Sequence, residues 1–134
     1  MDEIFRIKKD SDRAEDLFTM AKERIELIKI YPQDKTYKII EEYYETIKEI
    51  MTGIMYIDGF KTLSHVKLIE YFKENYKILD EQEINLIDSL RKFRHGIVYY
   101  GKKISFDFLE NHEKNIDLVV KKLIKFSEKK LNEN

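Results

Sequence analysis

The chain has 134 residues, the length of one domain that can bury a hydrophobic core without disulfides or structural metals. It has no cysteine, which excludes disulfides and thiolate metal sites. Its net charge of −1 excludes a global basic field of the kind that coats nucleic acid. Any contact with nucleic acid therefore has to come from a local basic patch.

The hydropathy pattern predicts a soluble, cytoplasmic protein. The first residues, "MDEIFRIKKDSD", lack the apolar run of a signal peptide, and no uncharged stretch is long enough to span a bilayer. Four glycines and one proline indicate long helices with few turns, and no β-type alternation competes with them. We expect one all-α domain over residues 1–134, with flexible ends at 1–11 and 127–134.

The first predicted helix runs from Asp12 to Ile30. Asp12 and Glu15 have the three-residue spacing of a capping box, and apolar residues then recur at helical spacing. Pro32 ends the helix, because proline lacks the N–H group that a helix interior needs.

The second predicted helix runs from Lys35 to Ile57, with Asp34 as its cap. Its apolar residues form two stripes, so we expect burial on two sides and a central position in the bundle. Gly53 interrupts the helix at a cost of up to about 1 kcal/mol relative to alanine, which indicates a close helix approach. Gly59 supplies the turn that follows.

Three further helices complete the predicted bundle. The third starts near Ser64. The fourth starts at Asp80, which forms a capping box with Glu83, and it stops at Gly101. The fifth starts at Ser105, and we expect it to lie antiparallel to the fourth.

The fourth helix carries the segment "LRKFRHGIVYYG", at positions 90–101, which gathers two of the five arginines and one of the three histidines. On a helical wheel one set of its side chains forms the expected core stripe: Leu86, Leu90, Phe93, Ile97 and Tyr100. A second face is apolar at its start and basic at its end: Ile84, Ile87, Arg91, Arg94, His95 and Val98.

This mixed face has two interpretations. It suits a homodimer interface that has a charged pocket where it opens to water. Alternatively, the isoleucines complete the core of one chain and the arginines pair with surface glutamates. The pattern alone favours the second interpretation by a small margin.

Three segments, taken in order, resemble the HEPN domain family, small helical proteins often found with minimal nucleotidyltransferases in prokaryotes. They are "RAEDLFTMAKERIELI", "YYETIKEIMTGIMYIDGFKTLSHVKLIEYF" and "LRKFRHGIVYYG", and the resemblance covers roughly residues 12–130. It implies a five-helix, up-and-down-type bundle, a homodimer and a nucleotidyltransferase partner. Active members of the family use an arginine and a histidine at the dimer interface for metal-independent RNA cleavage, as toxins of toxin–antitoxin pairs.

Carried over residue by residue, the family motif places its arginine at Arg94 and its polar residue at His95. The histidine position is then Tyr99, which departs from the family. Tyrosine has an unperturbed pKa of about 10 and is a poor general base at neutral pH. The alternative alignment, from Arg91 to His95, is one residue too short. The resemblance therefore supports the fold better than the nuclease activity.

The sequence thus predicts a dimeric module that binds the phosphate of a nucleotide or of RNA through Arg91, Arg94, His95 and Tyr99. One alternative is a ribonuclease that uses Arg94 with His95 or Tyr99 as catalytic residues, and another is an interaction protein without a ligand. We expect no metal and no cofactor, because no His-Glu-x-x-His motif is present. A structural helix-start role is expected for His65.

Overall fold

The computed structural model describes residues 3–100 and 106–133, and for residues 97–100 the backbone alone. Helices dominate the described residues, and the prediction of an all-α bundle is confirmed. The five helices are α1 (Ser11–Ile30), α2 (Thr36–Asp58), α3 (His65–Asn75), α4 (Glu81–Tyr100) and α5 (Phe106–Asn132). Two short strands accompany them, β1 (Ile4–Arg6) and β2 (Phe60–Thr62).

The two strands correct the expectation that the chain has no β-structure. They pair antiparallel, with Ile4 opposite Thr62. Beyond them the Ile7 N–H donates to the Gly59 carbonyl at 2.8 Å. Strands of three residues are too short to show a hydrophobic alternation, which is why the pattern missed them. Strand β1 belongs to the N-terminal end that was expected to be flexible, and the pairing holds it against β2.

The opposite end also differs from its prediction. Residues 127–134 were expected to be a flexible end, but α5 continues to Asn132. Ser127 is buried, and Leu131 packs against the core. Of the charged residues between them, Glu128 and Lys129 are exposed, whereas Lys130 Nζ lies 2.6 Å from Asp58 Oδ1 of α2.

Side-chain caps fix the starts of three helices. The predicted capping box of α4 is confirmed: the Asp80 N–H donates to Glu83 Oε1 at 2.9 Å, and the Glu83 N–H donates to Asp80 Oδ1 at 2.8 Å. Ser64 caps α3 as predicted. The prediction for α1 is wrong by two residues, because Asp10, and not Asp12, accepts the backbone N–H of the first turn.

Helix α2 is the centre of the bundle and contacts the other four helices. A Cβ placed on Gly53 would lie 2.5 Å from Phe18 Cε1, so the predicted close approach of another helix is confirmed. Gly59 ends α2 with a φ of 85°, as expected for a left-handed cap. The predicted cap at Asp34 is wrong, because the cap position is Lys35 and it makes no side-chain hydrogen bond.

Helices α4 and α5 run antiparallel. Lys122, late in α5, lies 2.8 Å from Glu83 at the start of α4. The Phe93 and Phe108 rings pair nearer the other end, with centroids 4.4 Å apart. The predicted turn at Gly101 and the predicted start of α5 at Ser105 lie outside the described residues.

Candidate functional site

The apolar half of the mixed face on α4 belongs to the core of a single chain. Ile84 is 6% exposed and Ile87 is 1% exposed without any second copy. This corrects the interpretation of these isoleucines as a dimer interface. Helix α4 packs against α2, α3 and α5, so its buried arc is wider than a single stripe. The predicted core stripe is buried at Leu90, and partly buried at Leu86 and Phe93.

The basic half of the face lines a cavity of about 300 Å³ between α3 and α4. Its lining consists of Leu63, His65, Arg91, Arg94 and His95. The structure therefore brings together the two arginines and the histidine that the sequence singled out. The side chain of the fourth predicted binding residue, Tyr99, lies outside the described residues, as does that of Val98.

Both arginines are held at Nε by a carboxylate. The Nε of Arg91 donates to Asp88 Oδ1 at 2.8 Å. The Nε of Arg94 lies 2.9 Å from Glu45 Oε1, in an ion pair whose N–H is not aligned for a hydrogen bond. In the described ranges, 3–100 and 106–133, the terminal nitrogens of neither guanidinium donate a hydrogen bond to a described residue. Each side chain is thus positioned at its inner nitrogen, while its terminal fork has no hydrogen-bond partner there.

The carboxylate that holds Arg94 is charged at neutral pH. Burial raises the pKa of Glu45, but the hydrogen bond and charge of Lys48 and the charges of Arg94 and Arg24 outweigh that effect, so the pKa lies below its usual value. Lys48 Nζ lies 2.8 Å from Glu45 Oε2. Glu45 therefore carries a negative charge beside Arg94 and neutralises only part of the local positive charge.

The surroundings of the cavity keep an excess of positive charge. Asp88 pairs with two cations, and although burial opposes it, the hydrogen bonds and charges of Arg91 and Lys92 hold its pKa below the usual range. Four cationic side chains thus face two carboxylates. The cations are Arg91, Arg94, Lys48 and Lys92, and the carboxylates are Glu45 and Asp88. An anion is the complementary ligand.

His65 is the residue of the cavity that the sequence did not select. It is the first residue of α3, and its Nδ1 lies 3.0 Å from the Tyr44 hydroxyl. Burial lowers the pKa of His65, and the charges of Lys48 and Arg94 lower it further, so the imidazole is neutral at pH 7. The expectation of a structural helix-start residue holds for its position but missed its place in the cavity. Only the packing of α3 on α4 brings it there, and helical periodicity carries no signal for that contact.

His112 does not join the other two histidines. Its ring packs 4.5 Å from that of Phe108, beside a separate cavity of about 560 Å³ between α4 and α5. Across the described residues, no group of three or more His, Asp or Glu side chains is arranged to hold a metal ion.

A second ionic cluster lies behind the cavity, between α1 and α2. Arg24 forms a hydrogen bond with Glu49, and its Nη1 lies 3.2 Å from Glu42 Oε2. Glu42 is 7% exposed, so this carboxylate is buried although adjacent acidic residues such as those at 41–42 are typical of a solvated helix face. Burial raises the pKa of Glu49 even though Arg24 opposes the shift.

Over the part of the chain that the structure describes, no helix combines the length and the apolar character needed to cross a membrane. Comparison of the chain with family models, with curated proteins and with solved structures finds no match. The chemistry of the cavity is therefore the basis for a functional proposal.

Proposed function

We propose that the chain binds the phosphate of a nucleotide or of RNA in the cavity between α3 and α4. The observation that carries the proposal is the pair of arginines held at Nε, with terminal nitrogens that make no hydrogen bond to the described residues. A guanidinium offers two parallel N–H donors that match two phosphate oxygens. Two guanidinium groups on one cavity wall suit a phosphate better than they suit an isolated carboxylate.

The remaining residues of the proposed site have different roles. His95 lies one residue after Arg94 in α4 and also lines the cavity, so it is in reach of the same anion. The assignment of Tyr99 as an aromatic partner for a base stays a prediction, because its side chain lies outside the described residues. Leu63 is 84% exposed at the edge of the cavity and offers an apolar surface beside it.

The resemblance to the HEPN family supports the same assignment, since the arginine motif of that family falls on Arg94. A homodimer and a nucleotidyltransferase partner belong to the proposal on that resemblance alone. The apolar side chains of Ile84 and Ile87 no longer argue for a dimer, because they are buried in one chain.

A metal-independent ribonuclease is the second candidate. The observation that favours it is the presence of two imidazoles, His65 and His95, beside Arg94 in one cavity. A neutral imidazole at pH 7 can act as a general base, which Tyr99 cannot do well. Incubation of the chain with a mixed RNA pool in the presence of a metal chelator tests this activity directly.

Replacement of Arg94 by alanine should weaken binding of labelled ATP and of a mixed RNA pool by at least about tenfold, because a charge-assisted fork to phosphate is lost. Filter binding at low salt measures both affinities. The wild-type affinity should also fall as salt increases, because phosphate contacts release counterions. Arg94→Lys should give an intermediate affinity, since it keeps the charge and loses the fork.

Arg13→Ala is the matched control, because it removes the same charge from an arginine that packs on Tyr56 and lies outside the cavity lining. It should leave both affinities unchanged. Circular dichroism should confirm that all variants keep the wild-type helix content. If the wild type retains neither RNA nor nucleotide at low salt, the phosphate-binding proposal is wrong.

A further inference from the structure

Donor groups reach the cavity from two helices, which suggests the form of phosphate that it accepts. Helix α4 contributes the guanidinium groups of Arg91 and Arg94, and α3 contributes the imidazole of His65. A phosphate monoester presents three non-bridging oxygens, whereas a diester presents two. Donor groups from both helices, to which His95 adds a second imidazole, therefore match the three oxygens of a monoester better than the two of a diester.

We propose that the cavity is a receptor for the doubly charged end of a phosphate monoester, and that His65 takes up one proton when this anion binds. The inference rests on the proposed function of phosphate binding and specifies both the ligand class and its dependence on pH. The monoester can be that of a free nucleotide or the phosphorylated end of an RNA chain.

The proposal uses the tautomer of His65 in which Nδ1 accepts from Tyr44. Tyr44 is 1% exposed, and burial raises the pKa of its phenol, so the hydroxyl keeps its proton. In this tautomer the hydroxyl donates that proton to Nδ1, 3.0 Å away, and the ring proton lies on Nε2. Nε2 is then a donor available to a ligand. When the ring becomes protonated, the same hydroxyl can accept from Nδ1, so the pair accommodates both states.

Charges around His65 explain why the proton arrives with the anion. Helices α2 and α4 place charged and titratable groups around His65 and its partner Tyr44, and three of these groups are cations while two are carboxylates. The groups are Tyr44, Glu45 and Lys48 from α2, and Asp88, Arg91, Arg94 and His95 from α4. A doubly charged anion between the two arginines reverses the local excess of charge and favours the imidazolium.

The sign of the pH dependence follows from this linkage. The pKa of His65 is lowered in the empty site and raised by the bound anion, so the bound state holds more protons between the two values. Affinity should therefore increase as the pH falls from 8 to 6. A phosphate monoester itself gains a proton near pH 6, whereas sulfate keeps two charges over this range. Sulfate therefore isolates the contribution of the protein.

Isothermal titration of the full chain with inorganic sulfate, at low salt and in two buffers of different ionisation enthalpy, measures affinity and proton uptake together. The wild type should bind roughly tenfold more tightly at pH 6 than at pH 8. It should take up close to one proton per site at an intermediate pH. His65→Gln keeps a donor but cannot titrate, so it should bind at pH 8 within about threefold of wild type and take up almost no proton.

Two controls identify the residue that titrates. His95→Gln removes the other imidazole that lines the cavity, and the proton uptake that persists in this variant is assigned to His65. His112→Gln changes a histidine beside the separate cavity between α4 and α5, and it should behave as wild type. If uptake persists in His65→Gln, or disappears in His95→Gln, the assignment to His65 is overturned while phosphate binding stands. If no anion binds at any pH, phosphate binding fails as well.

The ligand class is tested at pH 7 with adenosine 5′-monophosphate and its methyl ester, which is a diester. The monoester should bind at least about tenfold more tightly, because it supplies one more oxygen and one more charge. A short RNA with a 5′-phosphate, compared with the same RNA with a 5′-hydroxyl, distinguishes an RNA end from a free nucleotide. Equal affinity for monoester and diester would overturn the proposed selectivity and leave the proposed function intact.

Discussion

Two arginines, Arg24 and Arg94, neutralise glutamates of the central helix α2. Arg94 pairs with Glu45 of α2 from α4, and Arg24 pairs with Glu42 and Glu49 of the same helix from α1. Glu49 is 6% exposed and would be costly as an unpaired charge. Its cation is therefore part of the stability of the fold, whereas the terminal fork of Arg94 makes no hydrogen bond to the described residues and belongs to the proposed phosphate site.

Arg24→Met should lower the free energy of unfolding at pH 7 by about 2–3 kcal/mol, because it leaves two buried carboxylates without their cation. The effect is smaller than for a fully buried pair, since the Arg24 side chain is 29% exposed. Urea denaturation followed by circular dichroism measures the change. Lys29→Met, which removes a cation from the exposed pair with Glu26, is the control and should change stability by less than about 1 kcal/mol.

The loss of stability caused by Arg24→Met should depend on pH. Burial raises the pKa of Glu49 in the folded state, so this carboxyl is protonated more readily when folded than when unfolded. Loss of Arg24 should raise that pKa further, and the penalty of Arg24→Met should therefore shrink as the pH falls from 7 to 5. A penalty that stays constant over this range would show that Glu49 does not carry it.

Packing between helices explains the glycine inside α2. Phe18 of α1 is 4% exposed and occupies the space that a Cβ on Gly53 would need. Helix propensity alone would favour alanine there by up to about 1 kcal/mol. The tight contact with Phe18 makes alanine unfavourable at this position, because the aromatic ring is enclosed by the core and cannot move aside freely.

Gly53→Ala should therefore destabilise the protein, by about 1–2 kcal/mol in urea denaturation, despite the gain in helix propensity. In a Phe18→Leu background the same change should cost at least about 1 kcal/mol less, because the ring that meets the new methyl group is gone. Equal costs in both backgrounds would show that the contact with Phe18 is not the reason for glycine.

The five helices in the described residues share one hydrophobic core. Helix α2 is buried on several sides. One of these sides is covered by α4, through its buried residues Ile84, Ile87 and Leu90. The wall that α4 presents to α3 then carries the arginines of the cavity. The proposed site thus lies at the outer edge of a helix whose inner face, at Ile84, Ile87 and Leu90, is buried in the core.

Ile87→Glu should consequently unfold the chain and not release a folded monomer. A charge at a position that is 1% exposed has no partner, and such changes cost more than about 4 kcal/mol. Circular dichroism should show either a large loss of helix content or a large decrease in the urea concentration at the midpoint of denaturation. Leu118→Glu, at a position that is 50% exposed, is the control and should lie within about 0.5 kcal/mol of wild type.

The outcome of Ile87→Glu also separates the two interpretations of the mixed face. A variant with wild-type helix content that is monomeric by light scattering, beside a dimeric wild type, would restore the interface interpretation. Unfolding of the variant agrees with the burial of Ile87 in a single chain.

The sequence by itself determined the features that depend on near neighbours in the chain. The helical periodicity, the capping box of Asp80 and Glu83 and the left-handed end at Gly59 involve residues within one or two turns, so the pattern contains them. The two stripes of α2 likewise predicted its central position. The place of Arg91, Arg94 and His95 on one face followed from helix geometry alone.

Only the tertiary structure decided the features that depend on distant parts of the chain. The burial of Ile87, the pairing of Arg94 with Glu45 and the entry of His65 into the cavity all join different helices. Local spacing does not encode which helices meet, because the buried arc of α4 depends on how many helices pack around it. For the same reason the sequence could select the arginines of the cavity but not the histidine that faces them.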